Sequence, residues 1–232
     1  GRCFSEDLDE GAFEVWFNRA EDNDFTWRVL LAGEAAGGGD QFRLEARGNR
    51  IRGRTYVGGE PQSLLAFVEL GSDAWHHIAL TFSRLGRSLY FDGGLVGGDE
   101  LAMTIPRDSR LRLGAPFGEG TAFLGTIESA RVWGFERTAR QIWRDRFALL
   151  GAPDDVEAAW PLDEGTGPLA GDAGTHGFNL VLGDTEAAEE NDPRWALIED
   201  FPELAVTELT PASGPIEGGT AVQIFGTGFA EK

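Results

Sequence analysis

Two aspartates in glycine-rich loops carry the most definite chemistry in this sequence. Asp163 opens Asp163-Glu164-Gly165, and Asp172 opens Asp172-Ala173-Gly174. Calcium takes about six to eight oxygens from carboxylates, carbonyls and water, and glycine turns bring carbonyls to where such a cage needs them. Asp163 and Asp172 are therefore the candidate ligands of a Ca²⁺ ion. The competing reading of the same residues is that their short carboxylates hydrogen-bond nearby backbone amides and simply turn the chain. The histidines offer less. His76 and His77 are adjacent in a strand pattern and point to opposite faces, so they cannot chelate one metal together. His76 shares the face of Ile78 and reads as a partly buried, hydrogen-bonded side chain. His176 has no second histidine near it, and no zinc spacing exists. Nucleophilic catalysis lacks a Gly-x-Ser-x-Gly elbow, and Cys3 lies close to the chain end. Glu6, Asp7, Asp9 and Glu10 precede a strand and read as a solvated loop. No catalytic residue is assigned. Aromatic rings remain as candidates for stacking on sugars: Trp16 and Trp27 fall opposite or between core positions, and Tyr56 and Tyr90 read as outward.

Strands must position all of these groups. In Trp75 to Ser83, His76, Ile78, Leu80 and Phe82 alternate with His77, Ala79, Thr81 and Ser83, the period of two that a half-buried strand requires. A short glycine-containing connection leads to a second strand, Ser88 to Asp92, and Asp92-Gly93-Gly94 makes a further tight turn. Phe13, Val15 and Phe17 alternate in an opening strand. Strands are expected over 26–32, 41–46, 50–57, 63–70, 101–105, 110–113, 121–133, 156–161, 178–182 and 194–198, with Gly- and Asn-rich turns between them. Thr138 and Gln141 have the spacing of a capping box. The apolar stripe Ala139, Ile142, Trp143, Phe147 and Leu150 then predicts one short helix ending at Gly151. Phe13, Val15, Phe17, Ile78, Leu80, Phe82, Leu89, Phe91 and Ile127 are expected to share one core.

Composition narrows the function classes. A chain of 232 residues with 41% hydrophobic and 25% charged residues builds a globular core, and its 33 glycines suit many short strands joined by tight turns. A formal charge of −19 disfavours phosphate backbones and anionic lipid, so neither nucleic acid nor a membrane surface is expected as a partner. No apolar run reaches the roughly 18–20 residues that a membrane-crossing helix needs. One cysteine excludes an intrachain disulfide and leaves the compartment unread. A start at Gly1 without Met and an end at Lys232 within a strand pattern are what a piece of a longer protein would show.

Trp-His-His-Ile-Ala-Leu-Thr-Phe (75–82) with Leu-Tyr-Phe-Asp-Gly (89–93) resembles the centre of laminin-G-like and pentraxin-like domains of the concanavalin A-like class. Leu113-Gly114, Phe123 to Trp133 and Arg137 to Ile142 are similar to the closing strand and short helix of that family. Ala159 to Gly177 resembles the late strand and glycine-rich loop of its bacterial members. The resemblance implies an all-β, two-sheet antiparallel jelly-roll sandwich over residues 1–200. It also implies a non-catalytic recognition or adhesion module of a secreted or cell-surface protein, binding glycan or extracellular protein. The alternatives are a carbohydrate-binding accessory of an extracellular degradative enzyme and a structural spacer. The Glu-x-Asp-x-x-Glu pattern of the enzymes of this class is absent. In pentraxins the calcium ligands follow the Leu-Gly, and here the matching loop 115–121 offers only Glu119. Within 201–232, Pro-x-Ser-Gly-Pro, Gly-Gly-Thr and Phe-Gly-Thr-Gly-Phe resemble the start of an IPT/TIG immunoglobulin-like domain.

Overall fold

Alternation of apolar and polar residues dictates strands through most of the chain, and strands with one apolar face must bury it against a second sheet. The computed structural model describes residues 4–21, 25–147, 156–174, 176–183, 192–198, 201, 205–210 and 223–227. Cys3, Leu150, Gly151, the acidic loop 184–191 and the segment 211–222 lie outside the described residues. The elements run β1 (Gly11–Arg19), β2 (Arg28–Glu34), β3 (Asp40–Arg47), β4 (Arg50–Val57), β5 (Glu60–Phe67), β6 (Trp75–Ser83), β7 (Gly86–Phe91) and β8 (Gly94–Asp99). They continue as β9 (Arg110–Leu113), β10 (Thr121–Ala122), β11 (Gly125–Trp133), α1 (Ala139–Asp145), β12 (Val156–Trp160), β13 (Leu169–Ala170) and β14 (Leu180–Val181). The chain divides into two compact units, Gly1–Leu197 and Ile198–Lys232. In the second, β15 (Ala205–Thr210) pairs antiparallel with β16 (Gln223–Thr227).

Two large, mainly antiparallel sheets make the first unit. One has the order β12-β11-β1-β6-β7-β8; the other runs β10-β2-β3-β4-β5, with β9 also paired to β2. Their inner faces meet in one apolar layer. Phe13 of β1 stacks on Phe42 of β3 with ring centroids 4.1 Å apart and on Phe82 of β6 at 5.4 Å. Phe17, Leu30, Leu31, Leu44, Ile51, Ile78, Leu80 and Leu89 complete its centre. Of the expected core, Phe91 and Ile127 are half-buried and pack against this layer from its edge. Buried Arg87 of β7 spans the sheets at that edge, donating to Thr55 Oγ1 at 2.6 Å, the Gln62 carbonyl at 3.2 Å and Asp99.

Four elements differ from those expected. First, β8 was not expected, because its sequence Gly-Leu-Val-Gly-Gly-Asp carries three glycines and little strand propensity. The turn before it makes it: Asp92 and Gly93 both take positive φ, 49° and 84°, as a two-residue hairpin turn between twisted strands demands. Second, the segment 121–133 is not one strand. β10 pairs parallel with β2, whereas β11 pairs with β1 in the other sheet. The chain changes sheets at Gly125, whose φ is 147° and where a Cβ would stand 2.1 Å from the Asn18 carbonyl oxygen. Third, residues 101–105 form only an isolated bridge, Leu8 to Ile105, and 194–198 form no strand. Finally, α1 stops at Asp145 and leaves Trp143 on the exposed side. Its start is as expected: Thr138 Oγ1 accepts from Gln141 N, and Gln141 Oε1 accepts from Thr138 N at 2.9 Å.

Phe82 is fully buried beside Phe13, so Phe82→Ala is expected to lower unfolding free energy by about 3–5 kcal/mol through lost burial and a residual cavity. Leu85→Ala, in the exposed turn two residues on from Ser83, is expected to stay within about 0.5 kcal/mol. Chemical denaturation of both variants checks this.

Candidate functional site

The strand β1 is buried on both faces. Phe13, Val15 and Phe17 face the sandwich, which places Ala12, Glu14 and Trp16 on the outer side of the first sheet, Ala12 against Trp133 and Val156 and Trp16 at the C-terminal end of α1. Register sets His77 of β6 on one flank of this row and Arg131 of β11 on the other, directly beside Glu14. His77 Nε2 donates to Glu14 Oε2 at 3.2 Å; Arg131 Nη1 lies 3.8 Å from the same oxygen, and Arg137 Nε 3.7 Å from Oε1. Burial, the largest influence on Glu14, opposes ionisation. The hydrogen bond from His77 and the positive groups around it, Arg131 and Arg137 among them, outweigh that and hold the carboxyl below its usual value of 4.5.

A carboxylate beside an imidazole has the chemistry of a general acid or base, but a catalytic group must reach its substrate. Glu14 and His77 are 2% and 1% exposed. Their neighbours Trp16, Arg131 and Arg137 reach α1. A helix leaves its last carbonyls without intrahelical partners. Here Trp16 Nε1 donates to the Arg146 carbonyl at 2.6 Å and Arg131 Nη1 to the Asp145 carbonyl at 2.8 Å. Arg137 donates to the Gln141 carbonyl at 3.0 Å and pairs with Asp145. Ile142 packs on Ala79 and Tyr90. The cluster anchors the helix on the sheet. Tyr90, expected outward, is covered by it.

His76, on the other face of β6, donates from Nδ1 to Asp92 Oδ2 at 2.9 Å, and Asp92 Oδ1 accepts from His77 N at 2.8 Å. One carboxylate thus ties the β7–β8 turn back to β6.

Asp163 is exposed. Asp172 Oδ1 accepts from Ala159 N at 2.9 Å and Gly174 N at 2.8 Å, and Oδ2 accepts from Phe178 N at 2.8 Å. Amide hydrogens therefore point at both oxygens and take up most of the lone pairs that a cation would need. Among the described residues, no three His, Cys, Asp or Glu side chains gather as metal ligands. As placed, Asp163 and Asp172 do not fit a calcium cage, and Asp172 fits a loop organiser that joins its own loop and the Phe178 segment to β12.

The outer face of the second sheet is different. Phe42, Leu44, Ala46, Ile51, Leu64 and Ala66 point into the core. Period two then puts Arg43, Glu45 and Arg47 of β3, Arg50, Arg52, Arg54 and Tyr56 of β4, and Leu65 and Phe67 of β5 together on the opposite side. Arg110 and Arg112 of β9 join them beyond β2. Seven arginines thus occupy one face of a chain whose formal charge is −19.

Every one of the seven lies within 6 Å of an aromatic ring. Arg52 and Arg47 stack over Trp27 at 3.9 and 5.0 Å, and Arg50 over Phe67 at 4.7 Å. Arg43 and Arg54 flank Tyr56 at 5.9 and 6.0 Å, and Arg112 and Arg110 flank Phe117 at 4.7 and 5.4 Å. Carboxylates fix part of the array. Buried Glu45 holds Arg52 at 2.6 Å and Arg54 at 3.6 Å, Asp40 holds Arg43 at 2.5 Å, and Glu34 pairs with Arg110. Arg43 is covered, whereas Arg47, Arg50 and Arg54 are half-buried and Phe67 is 72% exposed. Such a face offers planar donor forks beside rings, which suits a polar ligand with stackable faces. The sequence carried a signal for it, Arg at alternate positions 50, 52 and 54. Which strands lie beside β4 was not readable, so the array was missed.

A family model of laminin G type, described as concanavalin A-like lectin/glucanases superfamily, matches residues 5–143. Among solved structures, a protein from Bacteroides ovatus described as a candidate carbohydrate-binding protein is 18% identical with a TM-score of 0.57. The match covers 73% of this chain and 50% of that one, so it spans half the length of that protein. A native heptameric SAP-like pentraxin from Limulus polyphemus is 13% identical with a TM-score of 0.50, over 61% of this chain and 73% of that chain. No curated protein matches the chain. At these identities the likeness to solved structures shows the fold: an all-β, concanavalin A-like jelly-roll sandwich with one short helix.

Glu14→Ala should cost about 3–5 kcal/mol, since it strands buried guanidinium charge. Because the folded carboxyl titrates below 4.5, its contribution is complete above that pH and is lost as pH falls through the lowered value. The parent should therefore destabilise on acidification below 4.5 more steeply than Glu14→Gln, as read by denaturation across pH. Asp172→Ala should cost about 1–3 kcal/mol for the amides it leaves unpaired. Parental melts in millimolar Ca²⁺ and in chelator should coincide; separation of the two would restore calcium to this loop.

Proposed function

Since the chain belongs to the laminin G-type family of the concanavalin A-like lectin/glucanases superfamily, we propose that it is a non-catalytic recognition module that holds a glycan on the outer face of its second sheet. One observation carries this reading. The outer face of the first sheet is covered in part by α1 and in part by Phe135 and Ala173, while the second presents half-buried guanidinium donors interleaved with Trp27, Tyr56 and exposed Phe67. Sugar rings stack on such aromatic faces while their hydroxyls accept from the donors. The description of the Bacteroides ovatus structure supports carbohydrate as the ligand class. Fold alone does not fix a ligand, so the face and not the family names the site.

The setting we infer is a secreted or cell-surface protein in which this module serves adhesion or accompanies a degradative enzyme. The antiparallel pair β15–β16 supports reading residues 201–232 as the start of an immunoglobulin-like module of IPT/TIG type. No helix among the described residues is long and apolar enough to cross a membrane.

On a glycan panel the chain should retain at least one class of polysaccharide. Tyr56→Ala and Phe67→Ala should each weaken that retention by about tenfold, the order of one lost stacking contact, with unfolding free energy within about 0.5 kcal/mol of the parent. Retention of no glycan at all would leave the module a spacer.

A further inference from the structure

We propose that the glycan is anionic: a polysaccharide bearing carboxylate or sulfate groups along its chain, bound by the arginine ladder of the second sheet. This rests on the glycan-binding reading above and narrows it. The register supplies the first argument. Arg47 stands directly opposite Arg50, and Arg43 directly opposite Arg54, on neighbouring strands. Like charges in such pairs repel and disfavour the sheet. Asp40 and Glu45 relieve the second pair; the first has no carboxylate partner among the described residues. A local conflict that folding does not need is what a ligand site leaves behind.

Geometry supplies the second argument. Arg50, Arg52 and Arg54 recur along β4 at steps of about 6.6 Å, and the neighbouring strand lies about 4.8 Å away. A grid of that spacing meets charges repeated along a polymer and not a single ion. Guanidinium forks take carboxylate or sulfate oxygens in pairs, and the rings against them fix their planes before the ligand arrives. The long-range field of a −19 chain repels polyanions, but screening confines it to about 8 Å at physiological salt, within which the arginines dominate. Nucleic acid carries about one charge per 1.7 Å of duplex, a spacing far denser than the arginine grid, whereas a sugar chain charged once per residue or two comes closer to it.

The test uses the full chain and matched probes: a polyuronate with its carboxyl-reduced form, a sulfated polysaccharide with its desulfated form, and single-stranded DNA. Affinity is measured for the parent, for Arg47→Gln with Arg50→Gln, and for exposed Arg140→Gln on α1 as a charge control. One anionic probe should bind at least about tenfold tighter than its neutral form and weaken as salt rises. Which pair shows the difference separates carboxylate from sulfate. The double variant should lose about tenfold or more at a melting temperature no lower than the parent's, since the opposed charges are gone, and Arg140→Gln should bind as the parent. Equal affinity for charged and neutral forms would overturn the inference and leave the glycan reading standing. Binding to no polysaccharide would overturn both. Tighter binding to DNA, or an unaffected double variant, would assign the face to another ligand or the ligand to another face.

Discussion

Burying the ionised carboxylate of Glu14 is the constraint from which the rest of the sandwich follows. A charge withdrawn from water is tolerated only if it is paired and hydrogen-bonded. Glu14 meets that condition through residues on three separate elements: His77 on β6, Arg131 on β11 and Arg137 just before the helix cap. β1 cannot slip against either neighbour without breaking the set, and a slip of one residue would also turn Phe13 and Phe17 out of the core. Polar and apolar faces of the strand therefore enforce the same register.

The same cluster decides which side of the molecule stays open. Arg131 and Trp16 spend their donors on the last carbonyls of α1, so the helix cannot leave without stranding buried groups on both partners. The first sheet is thereby covered on its outer side around Ala79 and Tyr90. Among the described residues no helix is laid on the second sheet, and its outer residues are held by one another, guanidinium against ring and guanidinium against Glu45. Such an arrangement covers an apolar sheet with long side-chain stems while keeping charged ends at the surface.

What the sequence disclosed tracks how local each determinant is. Inward positions follow from alternation within one strand, and Phe13, Val15, Phe17, Ile78, Leu80, Phe82 and Leu89 all lie in the core. The capping box at Thr138 is equally local. The strand β8 is local too, made by the legible Asp92-Gly93 turn, but its three glycines conceal it. The break at Gly125 is hidden for another reason: it is imposed by the Asn18 carbonyl, far earlier in the chain. Asp172 shows the limit from the other side. Its loop sequence suits a metal or a turn equally, and only its three amide partners separate them.

Net charge says least about any one face. A formal −19 argues against any polyanion when it is spread evenly over a surface, and composition carries no information on spread. Pairing of β3 with β4 changes the sign locally, by setting arginines on both strands side by side. At physiological salt a ligand in contact with that face experiences charges within about 8 Å and little else. The relevant electrostatic unit is therefore a few strands wide, and its sign is fixed by register, a quantity that appears only when the strands are paired.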